Sequence, residues 1–236
     1  MKISAESGHT LFNPTGEAYL RIKAVVFDVD GTLYPNRLMY IKSVSFFFSY
    51  PRFTVHFGKI RRRIRTIRPI DDFQKLQRQM LADSMKISLT EADRYILEVM
   101  YTEWEECLKG MPAYPFVRET MENLRARGLT IGVLSDFPIG RKLAYLGLDS
   151  LVDFALTAEQ SGYLKPNPEP FRLVSGTLAV PPEEVLFVGN HYEYDILGAS
   201  SFGMKTAHLT GRRIADSPAD FSFRSYEHFM EKLDSC

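Results

Sequence analysis

The most informative segment of the chain is residues 23–32, which read KAVVFDVDGT. Its first half is a short apolar run, typical of a strand buried on both faces of a parallel sheet. The run stops at Asp28, and a second carboxylate, Asp30, follows two residues later. Ligands bind beyond the carboxyl ends of strands in a doubly wound sheet, so both acids can face one crevice if the chain bends there. Gly31 permits that bend, although an isolated Asp-Gly is also an ordinary turn signal.

Four further apolar runs follow, and helical patterns separate them. Pro115 and Pro168 each open a segment in which apolar residues recur at helical spacing. Strands that alternate with helices indicate βαβ units, and therefore an α/β protein with a doubly wound parallel sheet. The predicted strands are residues 23–27, 130–134, 154–156, 185–188 and 205–209.

One long segment, residues 36–111, interrupts this alternation and contains no convincing strand. We interpret it as an inserted helical cap over a core made of residues 1–35 and 112–236. Within that core, the polar and turn-rich residues 1–20 are expected to be a weakly ordered lead-in. Four cap helices are predicted. The first has Leu38, Ile41, Ser45 and Phe48 at helical spacing, and the others have apolar positions at Phe53, Phe57, Ile60, Ile64 and Ile67; at Phe73, Leu76 and Met80; and, after a capping box of Thr90 and Asp93, at Tyr95, Ile96, Val99 and Met100.

Charge is distributed unevenly within the insertion. Residues 31–70 contain many Arg and Lys and no Asp or Glu, whereas residues 71–106 are rich in acids. Two interpretations are open: helix pairs with complementary solvated faces, or a basic lining that attracts anionic substrates. The arginines of residues 61–65 fall mostly off the apolar stripe, so the solvated face is the favoured interpretation. These arginines are Arg61, Arg62, Arg63 and Arg65.

Composition excludes several classes of protein. The 236 residues include 29 Lys+Arg and 29 Asp+Glu, and a formal net charge of zero gives no general attraction to nucleic acid or to an anionic membrane. Two cysteines, Cys107 and Cys236, are too few for a disulfide framework and do not form a clustered thiolate zinc site. No signal-peptide apolar region and no apolar run of the ~20 residues that a membrane span needs is present. We therefore expect a soluble, cytoplasmic protein with neither membrane nor nucleic acid as partner, and its oligomeric state stays open.

Three more motifs lie at strand ends or helix entries. Ser135-Asp136 follows the second strand, Lys165 precedes a proline-rich helix entry, and a segment from Asn190 to Asp195 follows the fourth strand. Each motif alone has an ordinary interpretation: a helix cap, a solvated lysine, an acid on a helix. Their order along the chain is more informative than any one of them.

In this order the motifs resemble those of the haloacid dehalogenase superfamily, whose members include phosphotransfer enzymes. The resemblance covers about residues 23–209, and the insertion looks like the helical type of cap in this family, over a Rossmann-like core. It implies that Asp28 is the nucleophile and that Asp30 is the general acid and base. It further implies that Ser135, Asp136 and Lys165 bind the transferring phosphoryl group, and that magnesium is held by Asp28, by the backbone carbonyl of Asp30, and by Asn190 and Asp195.

Physical chemistry supports these roles. A carboxylate can take a phosphoryl group and pass it to water, which divides one difficult step into two. Because both groups are anionic, a divalent cation and Lys165 are needed to let them meet, and Mg²⁺ suits oxygen ligands. The second carboxylate protonates the leaving oxygen and then activates water. The expected function is therefore magnesium-dependent hydrolysis of a small phosphorylated metabolite, a phosphomonoester, through an aspartyl phosphate.

Asn190 departs from the pattern, because phosphatases of the family usually have Asp at this position. Dehalogenases of the superfamily also carry an asparagine in this region and need no metal, but they lack the second acid that Asp30 supplies here. The motifs are also compatible with a phosphomutase, with a phosphonate-cleaving enzyme and with a non-catalytic relative that binds an anion. Asn190 itself has a second possible role, as a cap of the following helix that points away from the metal.

Overall fold

A computed structural model describes residues 22–235 of the chain, so the expected lead-in of residues 1–20 lies outside the described residues. Six strands form one sheet in the order β3-β2-β1-β4-β5-β6, and all neighbouring strands run parallel. The predicted α/β class with a doubly wound parallel sheet is confirmed. The strands are β1 Ala24–Phe27, β2 Thr130–Ser135, β3 Phe154–Thr157, β4 Val185–Gly189, β5 Lys205–Leu209 and β6 Phe221–Phe223.

The strand order reverses at β1, and this reversal positions the functional site. From β1 the chain continues to β2 and β3 on one side, then returns to add β4, β5 and β6 on the other. All four residues of β1 are fully buried, as expected for a central strand covered on both faces. Ligands of doubly wound sheets bind at such a switch point, so the carboxyl ends of β1, β2 and β4 are where chemistry is expected. We call these strand ends and the loops that follow them the carboxyl edge.

The five predicted strands are all present, and β6 is a sixth that the sequence patterns do not predict. Its three residues are too few to form a recognisable apolar run, and only Phe221 and Phe223 are buried. The helices after Pro115 and at Pro168 are present as predicted. Outside residues 36–111 the helices are α7 Val117–Ala126, α8 Lys142–Leu146, α9 Pro168–Leu178, a π-helical turn Tyr192–Leu197, α10 Gly198–Phe202 and α11 Phe229–Asp234, with short 3₁₀ turns at Asp149–Leu151, Ala158–Ser161, Pro182–Glu184 and Tyr226–His228.

Between β1 and β2, the described chain has helices and no strand. The apolar stripe predicted for the longest of these helices, α3, is confirmed from Phe53 to Ile64, while Ile67 lies beyond the end of the helix. None of the helices in residues 22–235 is long and apolar enough to cross a membrane. The elements are α1 Asn36–Lys42, α2 Val44–Ser49, α3 Pro51–Ile64, α4 Phe73–Met85, α5 Leu89–Arg94, a π-helical segment Tyr95–Glu103 and α6 Trp104–Glu106.

The face predicted for the first cap helix is wrong. Leu38, Ile41 and Phe48 are exposed, and Phe48 is 82% exposed, whereas Met39 and Phe46 point inward. The helix breaks after Lys42 into α1 and α2, so a single helical period across both pieces selects the wrong side. Apolar residues on several sides of a short helix leave its buried face undetermined by periodicity alone.

Two smaller details of the insertion also differ from the prediction. The capping box is formed by Ser88 and Glu91 rather than by Thr90 and Asp93, because the same residue pattern occurs twice in close succession. In α4 the buried face is centred on Gln77, so Leu76 and Met80 are only half-buried. Gln77 is buried at the centre of this face because its amide is hydrogen-bonded to Arg61 and to Tyr101, which lie on other elements.

Candidate active site

The switch point brings the sequence motifs to one place. Asp28 directly follows β1, and its amide donates to the Val188 carbonyl of β4 at 2.8 Å. Ser135 is the last residue of β2, and Asn190 directly follows β4. Because all three strands are parallel and adjacent, their carboxyl ends place these side chains around one crevice.

Asp28 is buried, with 6% of its surface exposed, and both carboxylate oxygens have donors. Lys165 Nζ donates to Oδ1 at 2.8 Å, and Thr32 Oγ1 lies 2.8 Å from Oδ2. Lys165 Nζ also donates to Asp195 Oδ1 at 2.6 Å. One ammonium group therefore bridges two buried carboxylates.

This triad carries one positive charge against two negative charges. Burial raises the pKa of Asp28 to about 7, and Lys165 opposes that shift only in part. Burial would lower the pKa of Lys165, but Asp195 and Asp28 outweigh it and raise that pKa above its ordinary value. Lys165 is thus a fixed cation, and the carboxylate pair it bridges is short of one positive charge.

Asp30 lies beside this triad with a separate set of donors. Lys142 Nζ lies 2.9 Å from Oδ1 and 3.0 Å from Oδ2, Ser135 Oγ donates to Oδ2 at 3.0 Å, and the Tyr34 hydroxyl donates to Oδ1. Burial would raise the pKa of Asp30, but Lys142, Tyr34 and Ser135 outweigh it and hold that pKa below its ordinary value. Neither Lys142 nor Tyr34 is among the site residues predicted from the sequence. Tyr34 stands four residues after Asp30, a spacing that could have indicated the contact.

Asn190 faces the loop that carries the two acids. Its Oδ1 lies 3.1 Å from Thr32 Oγ1, the hydroxyl that also contacts Asp28. Gly31 has φ +94°, a conformation that favours glycine, and a methyl group on it would collide with the side-chain amide of Asn36 and meet that of Asn190 at 2.6 Å. The cap of the following helical turn is His191, whose Nδ1 accepts from the Tyr194 amide at 3.3 Å. The second role considered for Asn190, as that cap, is therefore wrong.

Asp195 and Asp136 are held by protein donors. Besides Lys165, Asp195 accepts from the His191 amide through Oδ2 at 2.9 Å. Asp136 accepts from the Lys165 amide at 3.1 Å and from Arg65 Nη2 at 2.6 Å. Both carboxylates therefore bind residues that surround Asp28.

Arg61, on α3, and Arg65, just after α3, reach this same edge, contrary to the favoured interpretation of a solvated face. Arg61 is only 4% exposed; it forms an ion pair with Glu159 and donates to the Asp136 carbonyl and to Gln77. The prediction is wrong for these two residues because their acidic partners, Glu159 and Asp136, are distant in the sequence. Helical periodicity within one segment cannot show such partners. Arg62 and Arg63 are exposed, as predicted.

The donor set near Asp28 fits a hard divalent cation. Asp28 Oδ2 and Asn190 Oδ1 both lie within hydrogen-bond distance of one Thr32 hydroxyl, which has a single proton to give. These two oxygens, one of them on a carboxylate that is short of positive charge, are ligands that suit Mg²⁺. Among residues 22–235, however, no group of three or more His, Cys, Asp or Glu side chains is arranged to hold a metal ion. The candidate metal ligands near Asp28 thus include an amide, Asn190, where a site made only of acids would have another carboxylate.

Comparison with known proteins identifies the family. A family model described as haloacid dehalogenase-like hydrolase matches residues 22–203. The pyrophosphatase PpaX of Oceanobacillus iheyensis is 26% identical over 192 residues, which cover 80% of this chain and 83% of that protein. The ribulose-1,5-bisphosphate 5-phosphatase of Halopiger xanaduensis is 28% identical over 201 residues, 78% of this chain and 82% of that protein.

Dehalogenases are similar as well. The crystal structure of a 2-haloacid dehalogenase from Pseudomonas syringae pv. Tomato DC3000 superposes with a TM-score of 0.65 at 25% identity, covering 91% of this chain and 99% of that one. The family model spans most of the chain, including β1, β2, β4 and all four sequence motifs. The chain therefore belongs to the haloacid dehalogenase-like hydrolases.

Proposed function

We propose that this hydrolase is a magnesium-dependent phosphomonoesterase of a small phosphorylated metabolite, and that Asp28 carries the phosphoryl group between substrate and water. One observation carries the proposal: two carboxylates two residues apart lie at the switch point with separate lysine partners. Lys165 holds Asp28, and Lys142 holds Asp30. A nucleophile and a distinct acid and base are what two-step phosphoryl transfer to water requires.

In the first step, a carboxylate oxygen of Asp28 attacks phosphorus and the bond from phosphorus to the leaving oxygen breaks, while Asp30, which enters the cycle protonated, gives its proton to that oxygen. Lys165 offsets the negative charge as the two anions approach. In the second step, Asp30 takes a proton from water, the water oxygen attacks phosphorus, and the bond to Asp28 breaks. Inorganic phosphate leaves, and both carboxylates return to their initial states.

The flanking residues divide into two roles. Ser135 is proposed to bind the phosphoryl group, with its hydroxyl shared between that group and Asp30. The resemblance implies that Asp136 binds substrate; because its two oxygens accept from Arg65 and from the Lys165 backbone, we propose that it positions those residues instead.

Magnesium would be held by Asp28 and Asn190, with the Asp30 backbone carbonyl and Asp195 as the resemblance implies. When bound, the cation offsets the negative charge of the phosphoryl group as it meets the nucleophile. The pKa of about 7 for Asp28 indicates that its carboxylate is short of positive charge, and this favours a cation there.

Residues 36–111 are proposed to cover the site and to select the substrate. Arg61 contacts the Asp136 carbonyl, and Arg65 contacts the Asp136 carboxylate, one residue beyond Ser135. A covering segment excludes water from the crevice and strengthens the electrostatic interactions inside it. A cytoplasmic location and the absence of nucleic acid or membrane partners stay predictions from composition.

Dehalogenation is the second candidate, and Asn190 favours it. A site with one carboxylate fewer can act without a metal: Asp28 would attack a carbon that bears halogen, halide would leave, and water would hydrolyse the resulting ester. Asp30, which accepts from Lys142, Tyr34 and Ser135, has no assigned work in that reaction. The phosphatase therefore explains more of the site.

The two candidates are distinguished by their products. The purified chain should release inorganic phosphate from members of a panel of sugar phosphates, nucleotides, pyrophosphate and p-nitrophenyl phosphate when Mg²⁺ is present, and not when EDTA replaces it. The Asp28→Asn variant is the control for contaminating phosphatase. Chloride release from 2-chloropropionate without metal, with no phosphate released from the panel, would overturn the proposal in favour of dehalogenation.

A further inference from the structure

We infer that Lys142 is a positioning residue for the reaction, which fixes the Asp30 carboxylate in the orientation that proton transfer requires. This inference rests on the proposed function, because it assigns Lys142 a part in the second step, in which Asp30 takes a proton from water. Lys142 lies seven residues beyond Ser135 and outside the four sequence motifs, and it takes no direct part in either step of the proposed reaction.

The loop between β2 and α8 is built to return Lys142 to the carboxyl edge. Gly140 has φ +47°, and a methyl group on it would collide with the Glu105 carboxylate, so the backbone passes directly beside α6. Glu105 also accepts from the Arg141 amide at 3.1 Å. The Lys142 amide then donates to the Ile139 carbonyl at 3.0 Å as α8 begins. This turn places Lys142 at the start of α8, with its side chain reaching Asp30.

The ammonium group of Lys142 is enclosed. Lys142 is 2% exposed, and its Nζ lies 5.1 Å from the ring centroid of Trp104 and 5.5 Å from that of Phe137. In the described part of the chain, its hydrogen bonds go to the two oxygens of Asp30. Aromatic walls attract a cation but offer no strong acceptor, so Asp30 is the acceptor that sets the position of Nζ.

The pair is asymmetric, and the asymmetry indicates a role beyond folding. The lysine side chain is 2% exposed, whereas the side chain of Asp30 is 18% exposed. With Tyr34 and Ser135 as further donors, Lys142 restrains both oxygens and therefore the plane of the carboxylate. A buried ion pair is weak evidence for stability, but an ionised carboxylate held in one plane is what general base catalysis needs.

The two steps of p-nitrophenyl phosphate hydrolysis separate this role from a structural one. p-Nitrophenolate leaves with little help from an acid, so the first step depends little on how Asp30 is held, whereas the second step needs Asp30 to activate water. Lys142→Met should lower kcat about 100-fold, within the range that general bases contribute. The rate of the first turnover, measured by rapid mixing as a burst of p-nitrophenolate, should fall by no more than about threefold, because Lys142 does not touch the phosphoryl group.

Controls keep the test specific. Arg141→Met removes the neighbouring cation, whose exposed side chain binds Glu105 and Glu106, and should leave the ratio of the burst rate to kcat unchanged. Lys142→Arg keeps the charge but moves the donors, and should shift the ratio in the same direction by a smaller factor, about tenfold. If Lys142→Met fails to fold in a melting experiment, Lys142→Arg decides the question.

The outcomes are distinct. A lower kcat with a preserved burst supports the inference. Equal losses in the burst rate and in kcat, or unchanged values of both, would overturn it while leaving the proposed phosphatase intact, since the unaltered chain still releases phosphate. No phosphate release by the unaltered chain from p-nitrophenyl phosphate with Mg²⁺ would overturn the proposed function and this role together.

Discussion

The carboxyl edge and the interface of α3 with the core both bury charge, but they bury it differently. At the edge, Lys165 bridges Asp28 and Asp195, which leaves the triad with an excess of negative charge beside a crevice. At the interface, Arg61 pairs with Glu159, and both side chains are almost fully buried. The rings of Phe57, Phe73 and Phe137 surround the Arg61 guanidinium.

The carboxyl edge and the α3 interface therefore contribute differently, the first to binding and the second to stability. An excess of negative charge that faces a crevice can bind a cation and, through that cation, an anionic substrate, and keeping it there costs stability. Balanced charge that is closed off can do neither, and it holds two elements together once it is formed. Substitutions at the carboxyl edge should therefore change turnover, and substitutions at the α3 interface should change the free energy of unfolding.

The largest effect is expected at Asp28. Asp28→Asn removes the nucleophile and little packing, so phosphate release should fall by more than about 10⁴-fold, as for nucleophiles of other hydrolases. The melting temperature should stay the same or rise, because a buried carboxylate short of positive charge is lost. Phosphate assay and thermal melting check both parts. Wild-type turnover in the variant would contradict the mechanism.

Arg61→Met tests the other region. It leaves Glu159 buried without its cation, so the free energy of unfolding should fall by about 3–5 kcal/mol. Adding Glu159→Gln to that variant should restore more than half of the loss, since no uncompensated charge is left. Chemical denaturation measures both values.

Arg62→Met is the matched control, because Arg62 is the next residue and is exposed. Its effect should stay within about 0.5 kcal/mol of wild type. If Arg61→Met proved as stable as this control, the interface would not depend on its buried ion pair, and the contrast between the two regions would fail.

Asn190→Asp should sharpen the cation site. A unit charge at ~4 Å and an effective dielectric of ~20 is worth ~4 kcal/mol, and desolvation of the new carboxylate cancels much of that. We expect Mg²⁺ to bind about tenfold more tightly, or ~1.4 kcal/mol. Titration calorimetry measures it, with Asn123→Asp on the exposed face of α7 as a control for added charge. Unchanged or weaker binding would remove Asn190 from the ligands.

The smallest effect concerns an exposed ion pair after α3. Arg68 donates to Glu169 and holds the pKa of that carboxyl below its ordinary value of 4.5. Because the folded pKa lies below the unfolded pKa, the stabilisation is present above the unfolded pKa and is lost as pH falls through the folded pKa.

Exposed pairs contribute about 0.2–1 kcal/mol. The stability difference between wild type and Glu169→Gln should therefore be small at pH 7 and shrink as the solution is acidified below about pH 4.5. Melting curves across that range test the sign. A difference that grows as pH falls would show that Arg68 does not stabilise the ionised carboxyl.

The two regions also differ in how far the sequence predicts them. Buried parallel strands read as apolar runs, so β1, β2 and β4 are predicted together with the residues at their ends. The positions of Asp28, Ser135 and Asn190 follow from strand order alone. Their roles come from a family resemblance, and they stay proposals.

Contacts that cross between elements are not predictable in the same way. Arg61 lies beside Ile60 and Ile64 on α3, and helical periodicity cannot show that Glu159 lies opposite it in a distant loop. Lys142 reaches Asp30 because Gly140 lets the loop turn close to α6, a feature with no sequence signature of its own. Such side chains become visible only when the fold brings distant segments together.

The most direct test of the central claim is to trap the phosphoryl group on Asp28. In the Asp30→Asn variant the first step still proceeds with p-nitrophenyl phosphate, but water is not activated, so the intermediate should accumulate. The reaction with Mg²⁺ is quenched in acid within the first turnover, and peptides are analysed by mass spectrometry. One phosphoryl group on Asp28, absent from the Asp28→Asn variant, is the predicted result. Release of p-nitrophenol with Asp28 unmodified, or with the phosphoryl group on another residue, would contradict the account.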